Sequence, residues 1–309
     1  MFEARQLVFY TCVSPVHMGA GQAVGAIDNP IQREVHTSHP LIAGSGLKGA
    51  VRHHFTKTWK DAKDNALIAR LFGPESKAAP DHAGAIAFTD AALVAFPVRS
   101  LKNTFVYATC PTALARLKRI AGTAAEWSVS AVAEGSAKAA SDSAFSDGRL
   151  VLEAFDFAAT ADAGVTAIAA WLATNALPQS DEHKFFRDKL KTDLVVLSDT
   201  EFGHFVRHAT VVEAHVKIDN DTGAAAKTAL FYTENLPPEA LLAGLLLASV
   251  ERRPKGKGTE DPMPAEAVLS AVLRDAGERK GLADHLLQVG GDATTGRGLI
   301  VVHPAGEGA

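Results

Sequence analysis

Two stretches of alternating residues, separated by a turn cluster, constrain the fold of this chain more than any other feature. Residues 210–218 read TVVEAHVKI, residues 227–233 alternate again, and DNDTG occupies 219–223 between them. Alternation with a period of two is typical of strands, and two such runs around turn-forming residues predict a β-hairpin. Both faces carry apolar side chains, Phe231 and Tyr232 among them, so this hairpin either packs on both sides or projects and grips another molecule.

Strands and helices alternate irregularly along the rest of the 309 residues. The patterns predict strands at 6–13, 84–98 with a bend near Asp90, 104–109, 150–157, 194–198, 285–289 and 299–303. They predict helices from Leu47 to Trp59 and at 67–72, 111–121, 161–176, 183–191 and 264–276, whereas 238–250 fits either a strand or a helix. This mixture, with hairpins as well as crossovers, favours an α+β sandwich over a doubly wound sheet. The length allows two domains or one elaborated domain.

Three segments lack a clear period. Residues 14–46 form a stretch of a length that compact domains rarely carry unless it has a function or is disordered. Residues 121–148 are rich in Ala, Ser and Gly, which predicts an insertion or a mobile loop, and 254–264 are rich in helix and strand breakers.

The overall charge of −4 argues against nucleic-acid binding when it is taken alone. The charge is unevenly spread, however, because residues 91–125 contain five Lys or Arg and no acid. This asymmetry suggests a basic face on an acidic body. Charge alone leaves ordinary surface variation open as an equal alternative.

The cysteines and the apolar runs indicate the compartment. Cys12 and Cys110 are the only cysteines, which gives no disulfide framework or zinc pattern and fits a reducing cytosol. The N-terminus has no signal-peptide pattern, and the longest apolar run, Ala240 to Val250, is too short to span a membrane. We therefore expect a cytoplasmic protein without membrane contact.

The sequence GSGLKG at 44–49 lies at a predicted helix start. It is not a Walker A loop, because it lacks the spacer and the Lys-Ser/Thr ending. Small residues and free N–H groups at a helix start nevertheless favour an anion, and Ser45, Gly46, Lys48 and, one turn on, Arg52 are the candidate phosphate-binding residues. An exposed lysine after a glycine N-cap remains the equal alternative.

A second glycine-rich loop, GGDATTGRGLI at 290–300, runs into a strand. Its candidate anion-binding residues are Gly291, Thr294, Thr295 and Arg297. Two such loops, each with one cation, suit an extended polyanion better than a single nucleotide, although a plain turn is the alternative. A third segment, GAGQAVG at 19–25, is not a dinucleotide fingerprint, because no strand ends before it and Pro30 prevents a helix after it.

Acid–base candidates concentrate in the 14–46 segment. Asp28 is a lone carboxylate with no second acid until Glu34, and His17 and His36 are candidate proton-transfer groups. His53 and His54 are neighbours on a helix and so do not face a common metal. The sequence has no Ser-His-Asp elbow and no two-His metal motif.

These motifs together resemble a known family. The run PVHMGAGQAVGAIDNPIQREVHTSHPLIAGSGLKGAVR is similar to the N-terminal signature of the RAMP superfamily of CRISPR-associated proteins. The match is extended by FPVRSLKNTFVYATCPTALARLKR, LFYTENLPPEALL and GGDATTGRGLIVV. Together these motifs resemble the repeated backbone subunit of the type III-B (Cmr-type) RNA-targeting effector complex. The resemblance covers the chain in order from residue 7 to 303, apart from 121–148 and the loop near 254–264.

The resemblance implies a single elaborated domain over 1–309. This domain would have an RRM-like, ferredoxin-like core with long insertions: a catalytic loop at 14–46, a variable insertion at 121–148, and a projecting thumb hairpin at 209–235. Copies would stack in a filament along CRISPR RNA, together with other type III effector subunits, and target single-stranded RNA would be cut beside each thumb.

The resemblance also implies roles for individual residues. Asp28 corresponds to the catalytic aspartate of the family, as a metal ligand or as a base, with Mg²⁺ or another divalent ion as the cofactor. His17 and Glu234 are the further catalytic candidates. Ser45, Lys48 and the 290–298 loop would hold guide phosphates, and Phe231 and Tyr232 belong to the thumb.

Three alternatives remain open from the sequence. The chain could be the backbone subunit of the type III-A (Csm-type) complex, which shares a similar IDNP segment but usually lacks the LFYTENLPPE motif. It could be a non-catalytic scaffold that binds guide RNA, or a nuclease that processes guide RNA without metal.

Overall fold

The computed structural model describes residues 2–21, 27–74, 82–128, 130–219, 221–252 and 261–306. The first half of the chain forms β1 (Ala4–Cys12), β2 (Leu41–Ile42), α1 (Gly44–Thr58), α2 (Ala62–Phe72), β3 (Ile86–Phe88), β4 (Ala91–Arg99), β5 (Phe105–Thr109) and α3 (Pro111–Ala121). The second half forms β6 (Ser136–Ala139), β7 (Arg149–Leu152), β8 (Phe155–Ala161), α4 (Ala163–Asn175), α5 (Lys184–Asp193), β9 (Leu194–Val196), α6 (Asp199–His208), β10 (Val211–Ile218), β11 (Ala225–Asn235), β12 (Leu241–Ala248), α7 (Ala265–Leu273), β13 (His285–Gln288) and β14 (Leu299–Pro304).

Twelve of these strands form one large mixed sheet. Its order is β13-β14-β1-β12-β4-β5-β9-β6-β8-β7, with β2 beside β4 and β3 beside β12. Strand β1 runs antiparallel to both β12 and β14, whereas β5 and β9 are parallel. Strands β10 and β11 pair only with each other among the described strands, as a separate antiparallel hairpin.

The large sheet is buried on both faces, which explains the continuous apolar sequence of its central strands. In β1, Val8, Tyr10 and Cys12 belong to one core cluster, while Leu7 and Phe9 belong to another. Helices α1, α2, α6 and α7 contribute to the first cluster, α4 and α5 to the second, and α3 to both. Helices therefore cover both sides of the sheet, and the hairpin stands outside both cores.

The structure confirms the predicted α+β class and most of the predicted elements. Helix α1 buries Leu47, Val51 and Phe55, and Trp59 stacks on Phe55 with ring centroids 4.0 Å apart. The bend expected near Asp90 separates β3 from β4, and the region 238–250 is the strand β12 rather than a helix. The predicted loop at 254–264 lies largely outside the described residues, as does the 22–26 part of the long segment.

Two predictions of local structure were wrong, and one helix was missed. The Ala-rich region 121–148 is not an irregular loop throughout, because β6 joins the sheet between β8 and β9 and buries Ala137 and Ala139. Small side chains gave this strand a weak apolar signal. The single strand expected at 150–157 is two strands, which turn at Glu153 with a positive φ of 51°. Helix α6 was not predicted, although Ser198 accepts a capping hydrogen bond from the Glu201 amide at its start.

Among the described residues, no helix combines the length and the apolar character needed to cross a membrane.

Candidate functional site

The long segment after β1 docks on the base of the hairpin, and this places Asp28. The amide of Tyr232 donates to Oδ2 of Asp28 over 2.8 Å. The next residue, Asn29, continues the contact: its amide donates to the Tyr232 carbonyl at 3.0 Å, and its carbonyl accepts from the Glu234 amide at 2.9 Å. Asp28 is exposed, and its Oδ1 accepts no hydrogen bond from the described residues. The backbone thus holds a solvent-facing carboxylate beside β11.

His17 contacts β11 at Glu234, two residues after Tyr232. Its Nδ1 lies 2.7 Å from the carbonyl oxygen of Glu234, so Nδ1 carries the proton and donates. In the neutral ring this leaves the lone pair on Nε2. Tyr232 and Glu234, which hold Asp28 and His17, are about 7 Å apart along β11. The structure thus anchors two of the acid–base candidates to one strand, whereas Nε2 of His36 lies 2.5 Å from an Arg116 nitrogen.

The side chain of Glu234 lies away from solvent, at 2% exposure. Its Oε1 accepts from Arg33 at 2.5 Å and from Thr210 at 2.8 Å, and its Oε2 accepts from the Ile31 amide at 3.1 Å. Arg33 also donates to the carbonyls of Ser38 and Val206. This network fastens the long segment to the hairpin and to α6. The structure therefore gives the Glu234 carboxylate a positioning role.

The hairpin exposes apolar side chains over much of its surface. Phe231 and Tyr232 are 38% and 39% exposed, and Phe231 stacks on His215 with centroids 5.2 Å apart. The register pairs Ala214 with Tyr232 and Val216 with Leu230. These four residues share one face of the hairpin, opposite the face of Phe231 and His215. This exposed apolar face continues with Val212 and Ile218.

The helix start at 44–49 is packed against protein. A side-chain oxygen of Asp90 accepts from the Gly44 amide at 2.8 Å, so a carboxylate already occupies one of the free N–H groups that the sequence had assigned to phosphate. A Cβ on Gly44 would lie 2.2 Å from the Phe88 carbonyl oxygen, and one on Gly46 would lie 2.7 Å from Met18. These glycines therefore serve close packing, while Ser45 remains exposed.

Lys48 and Arg52 lie on the same side of α1, as the sequence predicted. Lys48 is half-buried and donates to the Ile86 carbonyl at 3.1 Å, and burial, with repulsion from Arg52, lowers the pKa of its amine. An Arg52 nitrogen lies 3.5 Å from the Pro74 carbonyl. Both cations bond only to neutral carbonyls among the described residues, so their positive charge is left without a carboxylate partner.

The 290–298 loop packs against the His17 segment and the hairpin. The Gly291 amide donates to the His17 carbonyl at 3.0 Å. Arg297 donates to both carboxylate oxygens of Glu213 on β10 at 2.6 Å, so its charge is already balanced. Thr295 donates its hydroxyl to the Asp292 carbonyl at 2.8 Å, and Thr294 is exposed. The loop thus braces the base of the hairpin.

The described residues offer few donors for a metal ion. No group of three or more His, Cys, Asp or Glu side chains within them could hold one. Asp28 provides one exposed carboxylate with one free oxygen. Magnesium commonly takes one or two carboxylates together with phosphate oxygens and water, so this donor set fits such an ion where RNA supplies the remaining oxygens.

Sequence reasoning missed Asp90, Arg33 and Glu213, which fix the site without belonging to it. Each is a charged residue whose partner is distant along the chain: Asp90 meets Gly44, Arg33 meets Glu234, and Glu213 meets Arg297. None of the three carried a local signal: Glu213 is one of three polar residues, with His215 and Lys217, that alternate with apolar ones along β10.

A large mixed sheet covered by helices on both faces, with a carboxylate-bearing loop fastened to an outlying hairpin, defines an α+β protein with an RRM-like core. The chain belongs to the RAMP superfamily, whose family model matches residues 9–301. It is 31% identical over 304 residues to the CRISPR system Cmr endoribonuclease Cmr4 of Pyrococcus furiosus, covering 97% of this chain and 95% of that protein.

A solved structure and a second curated relative show how far the similarity extends along the chain. The crystal structure of oligomeric Cmr4 from Pyrococcus furiosus superposes with a TM-score of 0.71 at 25% identity, over 98% of both chains. The CRISPR system Cms endoribonuclease Csm3 of Streptococcus thermophilus is 36% identical over 87 residues, but these cover only 25% of this chain and 39% of that protein. The full-length similarity is therefore to the Cmr-type proteins.

Proposed function

We propose that this protein is the repeated backbone subunit of a type III-B CRISPR effector complex, and that it binds CRISPR RNA and cleaves complementary target RNA at regular intervals. The observation that carries the proposal is the placement of Asp28. An exposed carboxylate with one free oxygen is fixed by a backbone hydrogen bond to an outlying hairpin. The full-length similarity to a protein named as a Cmr endoribonuclease supports it.

The proposed reaction is attack of a ribose 2′-OH on the adjacent phosphorus of the target strand. The O2′–P bond forms, the P–O5′ bond breaks, and the products end in a 2′,3′-cyclic phosphate and a 5′-OH. The proton of the 2′-OH must leave, and the O5′ leaving group must gain one. His17 Nε2 is free to accept this proton, and Asp28 Oδ1 is free either to accept it or to hold the metal ion. A positioned acid–base group contributes about 10²- to 10⁴-fold to such a rate.

A divalent ion, Mg²⁺ by preference, is part of the proposal. Asp28 would hold it together with RNA oxygens. When bound, it would stabilise the negative charge that develops on the phosphate. The chain's own contribution is to fix the Asp28 carboxylate through the Tyr232 amide and to hold the His17 ring in one tautomer.

Guide binding is assigned to Lys48 and Arg52 of α1 and to the exposed hydroxyls of Ser45 and Thr294. Lys48 and Arg52 have no carboxylate partner among the described residues, so both can contact phosphates. Ser45 and Thr294 add exposed hydroxyls. Arg297 is proposed to act through the hairpin, because Glu213 already balances its charge. Phe231 and Tyr232 offer aromatic surface for bases.

The remaining partners follow from the same relatives. Self-association into a filament is proposed because a similar chain forms an oligomer, and further effector subunits would cap its ends. The cytoplasm is the proposed compartment, since Cys12 and Cys110 are both free and buried.

The decisive experiment is cleavage of a matched target RNA by the assembled complex with Mg²⁺, comparing wild type with Asp28→Ala. Asp181→Ala, which removes an exposed acid from the turn before α5, is the matched control. We expect Asp28→Ala to assemble and bind RNA normally but to lose cleavage at the regular positions, while Asp181→Ala cleaves like wild type. Cleavage by Asp28→Ala at the wild-type rate would refute the assignment.

The same assay distinguishes the alternatives. A scaffold would bind the target without cutting it even in the wild-type complex. A guide-processing nuclease would cut repeat RNA as an isolated subunit without metal. The type III-A alternative is disfavoured by the short match to the Cms protein.

A further inference from the structure

A polar cavity of about 540 Å³ lies beside α6, apart from Asp28, the hairpin and α1. It is lined by α6, by the start of α3 and by the end of the long segment, and its side chains include His36, His39, His204, Arg207, His208 and Asp199. Its size falls within the range of roughly 300–1,000 Å³ that is usual for ligand sites. Nothing in the catalytic proposal uses these residues.

His39 is the first sign that the cavity takes a ligand. The residue is only 4% exposed, and its ring packs edge-on against Phe202. Its Nδ1 is fully buried and has no hydrogen-bond partner in the structure, which is uncommon for a buried polar atom. Nε2 of the same ring forms no hydrogen bond with the described residues either, so the imidazole can offer a donor or an acceptor to an occupant of the cavity.

The charges around the cavity favour an anion. Arg207 is exposed on the last turn of α6 and forms no hydrogen bond or ion pair with the described residues. Asp199 is the single acid among the described residues that line the cavity, and it is already engaged: the Thr112 amide donates to its Oδ1 at 3.0 Å. Its pKa is lowered, because hydrogen bonds from Cys110 and Thr112 outweigh the effect of burial. An anion would therefore meet Arg207 and the imidazoles without competition from a free carboxylate.

An aromatic surface adjoins these donors. Phe155 is 46% exposed, and its ring lies edge-on to His204 with centroids 4.9 Å apart. His204 and His208 lie one turn apart on α6, with ring centroids 4.6 Å apart. Aromatic and imidazole rings beside a guanidinium suit one nucleotide of single-stranded nucleic acid, with the phosphate on Arg207 and the base against the rings.

Hydrogen bonds of Arg33 connect the cavity to the Asp28 site. Arg33 donates to the Val206 carbonyl of α6 at 2.8 Å and to Glu234 of β11 at 2.5 Å. An RNA strand bound at α6 would thus contact a helix that Arg33 connects by hydrogen bonds to the hairpin. We propose that this cavity binds one nucleotide of the single-stranded RNA, as a contact outside the catalytic loop and the α1 cations; this inference rests on the proposed RNA function.

The test is binding of a fluorescein-labelled, unstructured RNA to the full-length protein, followed by anisotropy over a range of salt concentrations. Arg207→Ala removes the cation from the last turn of α6. Lys191→Ala is the matched control, since Lys191 is an exposed base in the last turn of α5. We expect Arg207→Ala to weaken binding by on the order of tenfold. We also expect it to reduce the slope of log K against log salt by about 0.7, while Lys191→Ala leaves both unchanged.

A double variant, His204→Ala with His208→Ala, tests the ring surface. It should weaken binding with little change in the salt slope, and ultraviolet crosslinking should place RNA on the peptide 199–208 in wild type. Equal affinity and slope for Arg207→Ala and Lys191→Ala would overturn the proposal. So would a loss of self-association by Arg207→Ala with unchanged RNA affinity, because the surface would then contact another copy of the chain.

These outcomes are independent of the catalytic proposal. Asp28→Ala is expected to bind the labelled RNA like wild type. An Arg207 effect on binding, in a protein whose wild type never cleaves target RNA, would leave this inference standing and refute the proposed reaction.

Discussion

The Nδ1 atom of His17 lies 2.7 Å from the main-chain carbonyl oxygen of Glu234. This contact fixes the ring by one nitrogen and leaves the other free. An asparagine can reproduce the fixed side, because its amide NH₂ can donate in place of Nδ1–H, but it has nothing at the position of Nε2.

We therefore expect His17→Asn to keep the loop in place and to lose the proton acceptor. Target cleavage by the assembled complex should fall by about 10²-fold or more, with unchanged RNA affinity. His53→Asn, on an exposed face of α1, is the control and should cleave like wild type. If His17 only holds the loop, the Asn variant will cleave at nearly the wild-type rate, and the acid–base assignment fails.

Gly44 illustrates what could and could not be predicted from the sequence. The motif GSGLKG correctly predicted a helix start near residue 44, because its local signals are backbone propensities. Its glycines were assigned to phosphate approach, yet Gly44 faces Phe88, which lies 44 positions away. Asp90, which accepts from the Gly44 amide, lies 46 positions away. Contacts of this kind depend on which strands become neighbours, and no local pattern encodes that.

The long segment at 14–46 shows the same division between local and distant information. Family resemblance singled out Asp28 as a candidate, and the alternation of 210–218 and 227–233 predicted the hairpin. That Asp28 is anchored through the Tyr232 amide could not be predicted, because a main-chain donor leaves no trace in residue identity. The Ala-rich strand β6 was missed because its buried side chains, Ala137 and Ala139, are small and give only a weak apolar signal.

The close approach of Gly44 to β3 gives a prediction about stability. Gly44→Ala places a Cβ 2.2 Å from the Phe88 carbonyl oxygen, so the backbone must shift, and we expect a loss of about 3 kcal/mol in the free energy of unfolding. Gly49→Ala, in the same helix, meets no atom within 4 Å and should stabilise by about 0.5–1 kcal/mol. Denaturant unfolding of both variants measures this. A similar effect for the two glycines would contradict the packing argument.

The pair formed by Arg33 and Glu234 gives a second prediction about stability. Glu234→Gln leaves Arg33 without its buried carboxylate partner, so we expect a loss of about 3 kcal/mol and faster amide exchange at the base of the hairpin. Asp156→Asn, which breaks the exposed contact with Arg149, should have little measurable effect.

A double-mutant cycle of Glu234→Gln with Arg33→Gln should show strong coupling. Additive effects of the two substitutions would mean that the pair does not hold the long segment to the hairpin. Normal stability together with abolished cleavage in Glu234→Gln would instead indicate that the carboxylate acts directly in catalysis.

Glu239 gives the last prediction, which concerns pH. Burial raises the pKa of Glu239 to about 7 from a usual value of 4.5, and the Tyr107 hydroxyl, 3.2 Å from Oε2, offsets this only in part. The folded protein therefore holds this proton more tightly than the unfolded chain does. The stabilisation is fully present below about pH 4.5 and is lost as the pH rises through about 7.

Glutamine resembles the protonated acid, so Glu239→Gln should match wild type in stability near pH 5 and exceed it at pH 8. The shift of about 2.5 pH units corresponds to about 3 kcal/mol. Unfolding free energies of the variant and wild type at both pH values measure the difference, with Glu278→Gln, an exposed glutamate, as the control. A difference between Glu239→Gln and wild type that does not change with pH would mean that this carboxyl does not titrate between the two values.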